Sequence, residues 1–256
     1  MKVRQLEKQL NEDLKGPTKK AAYIARYTGG VGHEDREPDE VSQLIFLGHP
    51  LPVHRKVLDK YSKLTCSLGT LDEWQLWIDL WKRSRSYEIR SICLLWISRK
   101  KNKEIRFQRY GDLYNLVADV DNWALSDGLS SILAEILEEH PHRFAQYKKW
   151  NKSKNPWIRR QSLVGIYYYA RLRKKHYSPK EVLDLLKNLL DDRHFYVQKS
   201  VGWTLREIDR VDSRLQRSFV ARHLARISSV AWYATSELYP IELKRELVFR
   251  RREMRG

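Results

Sequence analysis

The sequence predicts an all-α protein built of stacked helix pairs, and three observations predict it. Glycine and proline cluster at Gly29-Gly30 to Gly32, Gly48 to Pro52, Pro141 and Pro156, while the stretches between them carry apolar residues at three- and four-residue spacing. Strand signals are absent: there is no sustained alternation and no Asn-Gly turn between β-branched runs. One helix-start outline recurs, in Tyr87-Glu88-Ile89-Arg90-Ser91-Ile92, Trp157-Ile158-Arg159-Arg160-Gln161-Ser162, Tyr196-Val197-Gln198-Lys199-Ser200-Val201 and Ser229-Val230-Ala231-Trp232-Tyr233-Ala234.

Ile158 to Val197 is 39 positions, Val197 to Val230 is 33, and Ile89 to Ile158 is 69, close to twice a period in the mid-thirties. Periods of about 33 to 47 in helical sequence denote an α-solenoid of HEAT or armadillo type, whose second helices line a concave face. Composition by itself admits one large domain or two small ones. The repeat points to a single HEAT-like repeat domain over 1–256, with a core from about 5 to 235 and a basic C-terminal helix or tail over 236–256.

Nine Trp, fourteen Tyr and 42% hydrophobic residues require a folded chain, because disordered segments are poor in aromatics. No apolar run reaches the roughly 18 residues that cross a bilayer, and the N-terminal residues lack the apolar core of a secretory signal. A cytoplasmic protein is expected. Cys66 and Cys93 lie far apart, without Cys or His at zinc-ligand spacing. Both are expected to be buried thiols, with no disulfide, metal or cofactor.

A net charge of +17 exceeds what solubility requires and implies a polyanionic partner. Nucleic acid leads, an anionic membrane surface is the rival, and ribosomal or chaperone-like RNA contacts stand behind both. Charge supplies affinity through phosphates and counterion release but no specificity.

Taken along the chain, the cations fall at informative places. Arg90, Arg160 and Lys199 recur in successive units and would line a positive concave groove; the plainer reading is a solvated face. Basic clusters occupy Arg99 to Lys103, Lys148 to Arg160, and Lys244-Arg245 with Arg250 to Arg252. The middle cluster sets Lys148, Lys149, Lys152, Lys154, Arg159 and Arg160 around Trp150 and Trp157, and Asn155-Pro156 offers a helix start with free N–H groups for a phosphate. The C-terminal run is expected to be a solvated or fraying helix end.

Trp123 and Asp127 are four residues apart, hence one turn apart on one helical face. A lone carboxylate beside an indole gains nothing for a pure phosphate binder. The segments Asn122 to Asp127, Trp150 to Arg160 and Gln198 to Glu207, with Phe46-Leu47-Gly48, Pro52 and Arg55 before them, resemble the AlkD-type DNA alkylation repair glycosylases, over about residues 5 to 235. The resemblance implies a HEAT-like repeat fold, Asp127 as catalytic carboxylate, Trp123 and Trp203 facing the lesion and its sugar, and Arg160 on the backbone near it. Lys199 and Arg206, with Arg159 and Lys154 of the middle cluster, become the expected DNA contacts. Two departures stand out: Ala124 replaces a second acidic residue common in that family, and residues 33–38 look like an insertion.

The chemistry agrees. Cleaving an N-glycosidic bond builds positive charge on the sugar, which a fixed carboxylate stabilises. A purine alkylated at N3 or N7 is already cationic, so it leaves without a general acid and attracts indole faces. Neither a Gly-rich phosphate loop, a His-Glu-x-x-His helix nor a nucleophile elbow competes. His140, His142 and His194 read as capping or surface residues, and Lys199 as a phosphate contact rather than a Schiff-base nucleophile. The expected activity is a monomeric, monofunctional glycosylase releasing 3-methyladenine or 7-methylguanine from duplex DNA; the rival is a non-catalytic HEAT-type scaffold for DNA or RNA.

Overall fold

In the computed structural model, residues 1–15 and 41–254 are described. The glycines at 29–32 and the expected insertion at 33–38 lie outside them. The described residues hold fourteen α-helices, and their β-type pairing is an isolated bridge between Ile45 and Ser86. The chain divides into two compact units, Met1–Leu129 and Ser130–Gly256.

The first unit contains α1 (Val3–Asp13), α2 (Leu51–Thr65), α3 (Thr70–Arg83), α4 (Tyr87–Ile97), α5 (Lys103–Gln108), α6 (Tyr110–Leu116) and the first turns of α7 (Trp123–Glu139). Trp74, Trp77 and Trp81 follow one face of α3 at helical spacing and are buried with Trp96 of α4. Trp77 and Trp96 stack at 5.4 Å. Three of these indoles find buried or half-buried carboxylates: Trp74 donates to Asp112 at 2.9 Å, Trp81 to Asp119 at 3.1 Å and Trp96 to Glu73 at 3.2 Å. Three of the nine Trp are thus core residues with their one donor satisfied.

The segment Phe46-Leu47-Gly48 is fastened to the start of α4. The fully buried Glu88 carboxylate accepts the Leu47 and Gly48 N–H groups, each at 2.9 Å. Gly48 takes φ 82°, a backbone open to glycine at little cost, and Phe46 stacks on Tyr87 at 4.5 Å.

His54 on α2 is buried, accepting or donating through Nδ1 at 2.9 Å from the Ser91 hydroxyl. Burial, aided by the charge of nearby His49, pushes its pKa down to about 4. The folded value lies below the unfolded one, so this contribution is intact above pH 6.5 and is lost as pH falls toward 4, when the unfolded chain takes the proton first. That window carries about 3 kcal/mol. Melts between pH 7 and 4 should show this acid limb, and His54→Gln should flatten it; an unchanged slope in the variant would assign the loss to other groups.

The second unit contains the remainder of α7, then α8 (Phe144–Trp150), α9 (Pro156–Tyr167), α10 (Pro179–Lys187), α11 (Phe195–Val211), α12 (Ser213–Arg222), α13 (Ser229–Thr235) and α14 (Ile241–Glu253). Helices α9, α11 and α13 pack in succession. Together with α4 they begin at the four places where the sequence repeats.

A hydrogen-bonding device repeats with them. The fourth residue of α4, α9 and α11 reaches back to the carbonyl six positions before it: Arg90 to Ser84 at 3.0 Å, Arg159 to Ser153 at 3.0 Å and Gln198 to Asp192 at 2.7 Å. Each ties down the loop entering its helix, whose carbonyls would otherwise be left without donors. In α13 that place belongs to Trp232. Arg251 of α14 takes over, donating to the Leu224 and Ile227 carbonyls at 3.2 and 2.7 Å with its guanidinium 4.7 Å from the Trp232 ring.

Two expectations are corrected. Of the C-terminal run, Arg245, Arg250 and Arg252 are exposed as a solvated end would have them, but Arg251 is buried and donates to the Leu224 and Ile227 carbonyls of the loop before α13. Cys93 is buried, but Cys66, at the C-cap of α2, is exposed. None of the described helices is long and apolar enough to cross a membrane.

Candidate functional site

The N-terminus of α7 carries the first two candidates. Asn122 caps it, its side-chain oxygen accepting the Leu125 N–H at 3.0 Å. Its amide is steadied by Asp121 at 3.0 Å, and the Asp121 carboxylate also accepts the Ser42 hydroxyl at 2.8 Å and the Gln43 N–H at 2.7 Å. From this anchored start, Trp123 and Asp127 stand one turn apart on one face, both half-buried. Beside Asp127, a Cβ on Gly128 would come within 3.0 Å of Leu94 in α4, so the helix is seated closely there.

In the second unit, Asn155 caps α9 by accepting the Trp157 N–H at 2.8 Å, with Pro156 in the first turn. Trp157 and Trp150 are both buried. Arg160 is buried as well, and one guanidinium N–H donates to the Tyr196 carbonyl at 2.9 Å. Arg159 grips both oxygens of Asp192, at 2.6 and 3.2 Å, and the Ser153 and Lys154 carbonyls. Its recurrence in the repeat therefore has a structural reason. Lys154 and Lys199 have exposed side chains, the Lys199 ammonium lying 5.2 Å from the Phe195 ring.

Trp203, half-buried on α11, stands in an aromatic cluster that residue-by-residue reading had not assembled. Tyr168 stacks on it at 5.6 Å, Tyr169 meets it edge-on at 6.1 Å, and the Arg206 guanidinium lies 5.5 Å from its ring. Arg206 is held by Glu207 at 3.0 Å and Glu237 at 2.8 Å; burial opposes its charge, but the two carboxylates win and raise its pKa. The sequence signal for the missed pair was the run Tyr167-Tyr168-Tyr169 at the end of α9. Tyr169 has φ 49°, a left-handed backbone that a bulky residue keeps only when its surroundings impose it, as they often do at functional sites.

The candidates thus form three local groups. Trp123 and Asp127 pair an indole with a carboxylate; Arg159 and Arg160 tie α9 to the loop and first turn of α11; Trp203 and Arg206 join a tyrosine pair. An indole with neighbouring phenols suits a flat or cationic ring, and a half-buried carboxylate suits a developing positive charge.

Several solved structures share this fold. The chain is similar to one described as a predicted DNA alkylation repair enzyme from Enterococcus faecalis, 14% identical with a TM-score of 0.62 over 80% of this chain and 97% of that one. It is also similar to AlkD2 from Streptococcus mutans, 21% identical with a TM-score of 0.52 over 78% and 94%. A third, smu.31 from Streptococcus mutans UA159, is 19% identical with a TM-score of 0.51 over 74% and 98%. No curated protein sequence matches the chain. The family model described as DNA alkylation repair enzyme matches residues 8–238, nearly the whole length, and the chain belongs to that family.

Proposed function

We propose that this protein is a DNA glycosylase that hydrolyses the N-glycosidic bond of cationic alkylpurines, 3-methyladenine and 7-methylguanine, in duplex DNA. The observation that carries the reading is Asp127, a half-buried carboxylate one turn from Trp123 in a chain of net charge +17. The alkylated base departs with the bonding electron pair and becomes neutral. The sugar is left as an oxocarbenium ion, which Asp127 stabilises. Water then bonds to the anomeric carbon and loses a proton to the carboxylate or to solvent. Trp123 and Trp203 favour the charged base by cation–π attraction, and Arg160, Lys199, Arg206 and Lys154 serve the DNA strands, while Arg159, bound to Asp192 and two carbonyls, fixes the loop that carries Lys154. The protein acts as a monomer on DNA in the cytoplasm.

Incubation with methylated duplex DNA, followed by chromatography of the soluble products, is the direct test. Free 3-methyladenine or 7-methylguanine is the expected result. Tight, salt-sensitive duplex binding with no base released would replace this reading with the scaffold.

A further inference from the structure

We infer that Tyr169 is a further DNA-contacting residue, whose hydroxyl donates to a phosphate oxygen of the duplex beside the Trp203 cluster; this rests on the reading above that the protein works on duplex DNA. Exposure does not single Tyr169 out, since other large side chains are more open. Its backbone does. Tyr169 lies just past the end of α9 in a left-handed conformation, φ 49° and ψ 75°, and is the one non-glycine with positive φ among the described residues. Helices commonly end on that conformation, but they give it to glycine or asparagine, because a larger side chain crowds the backbone there. A tyrosine in that place lowers stability unless its side chain makes up the difference.

The fold holds the strained turn in place. The buried Glu207 carboxylate accepts the Ala170 N–H at 2.9 Å, His176 bonds the Ala170 carbonyl at 2.9 Å, and the Tyr169 carbonyl accepts the Leu172 N–H at 2.8 Å. Glu207 also binds the Arg206 guanidinium at 3.0 Å. One carboxylate thus fixes the turn and Arg206 together, next to Trp203. The turn presents a ring with two edge-on neighbours, Tyr168 at 4.8 Å and Trp203 at 6.1 Å, and a hydroxyl that bonds no protein group among the described residues. A phenylalanine would keep both ring contacts, so the hydroxyl is the part that packing leaves unused.

The surrounding charges select an anion for it. Arg171 lies 5.6 Å from the Tyr169 ring, exposed and paired with no carboxylate among the described residues. Lys199 is exposed one turn before Trp203 on α11. The nearby acids are already matched, Glu207 and Glu237 being held by Arg206 and Arg210. On duplex DNA the anion is a phosphate, and tyrosine hydroxyls are among the groups that set a protein's register on the backbone. Such a contact leaves the base stack undisturbed.

The test uses the full-length protein and fluorescein-labelled duplexes, intact or carrying one 7-methylguanine, with single phosphates replaced in turn by uncharged methylphosphonates. Tyr169→Phe should weaken binding to both unreplaced duplexes about three- to tenfold. Wild type should lose affinity at several replaced phosphates, and Tyr169→Phe should be indifferent at one of them, because there the two changes remove the same contact. The melting temperature of the variant should match wild type, since the hydroxyl bonds nothing in the protein. Single-turnover release of 7-methylguanine at saturating protein should match as well, since the contact is made equally before and during bond cleavage. The assignment is overturned if Tyr169→Phe binds like wild type, or if its loss adds to the methylphosphonate loss at every position. It is equally overturned if the variant weakens binding to the methylated duplex alone, which would put the phenol on the base. A coupled phosphate in a protein that releases no methylated base would uphold the contact and sink the glycosylase; base release with no coupled phosphate would do the reverse.

Discussion

Asp127→Asn is expected to slow single-turnover release of 7-methylguanine at least a hundredfold while leaving affinity for intact duplex unchanged or slightly higher. The amide has nearly the shape of the carboxylate but no charge to set against the oxocarbenium ion. Removing one well-placed electrostatic partner of a transition state costs on the order of a hundred- to a thousandfold. The ground state gains, because a negative charge near phosphates is removed. The start of α7 should survive the change, because its cap belongs to Asn122 and Asp121. Melting temperature, duplex affinity and excision measured on one preparation separate the cases. Near-full excision removes Asp127 from the mechanism, and a large fall in melting temperature makes it a structural residue.

What the sequence made legible, and what it hid, follow from the range of the interactions. The four helix starts were readable because capping residues, prolines and apolar spacing act within a few positions of each other. Tyr87, Pro156, Phe195 and Ser229 begin helices where the repeat placed them. The pairing of Trp123 with Asp127 was readable for the same reason, being a matter of helical pitch. Partners 30 or more positions away were not. Arg159 finds Asp192 and Arg206 finds Glu237 only because helices from different repeats are brought side by side. Arg251 looked like one more surface cation, since nothing local shows that its guanidinium bonds the carbonyls of the loop before α13. Trp203 was singled out, but Tyr168 and Tyr169 reach it only through the turn at the end of α9, which no residue pattern announced.

The residue preceding Trp203 leads to the second large effect. Gly202→Ala is expected to lower the melting temperature by about 10 °C, a loss of about 3 kcal/mol or more. A Cβ at Gly202 would lie 2.1 Å from the Ala231 carbonyl oxygen and 2.8 Å from its Cα and carbonyl carbon. These are backbone atoms of α13, so no rotamer relieves the clash. The helix must move, and it is pinned: Ser228 caps it at 3.0 Å, and Arg251 ties the loop before it. The same change at Gly111, exposed in the first turn of α6, meets nothing within 4 Å and should be neutral or stabilise the protein by up to about 0.5 kcal/mol, because alanine restricts the unfolded chain more than glycine does. Excision should fall with Gly202→Ala as well, since Trp203 moves with the backbone that carries it, whereas Gly111→Ala should leave it intact. Thermal melts of the two variants beside wild type check the argument: equal melting temperatures would mean that α11 and α13 do not pack backbone to backbone, and that the seat of Trp203 is set elsewhere.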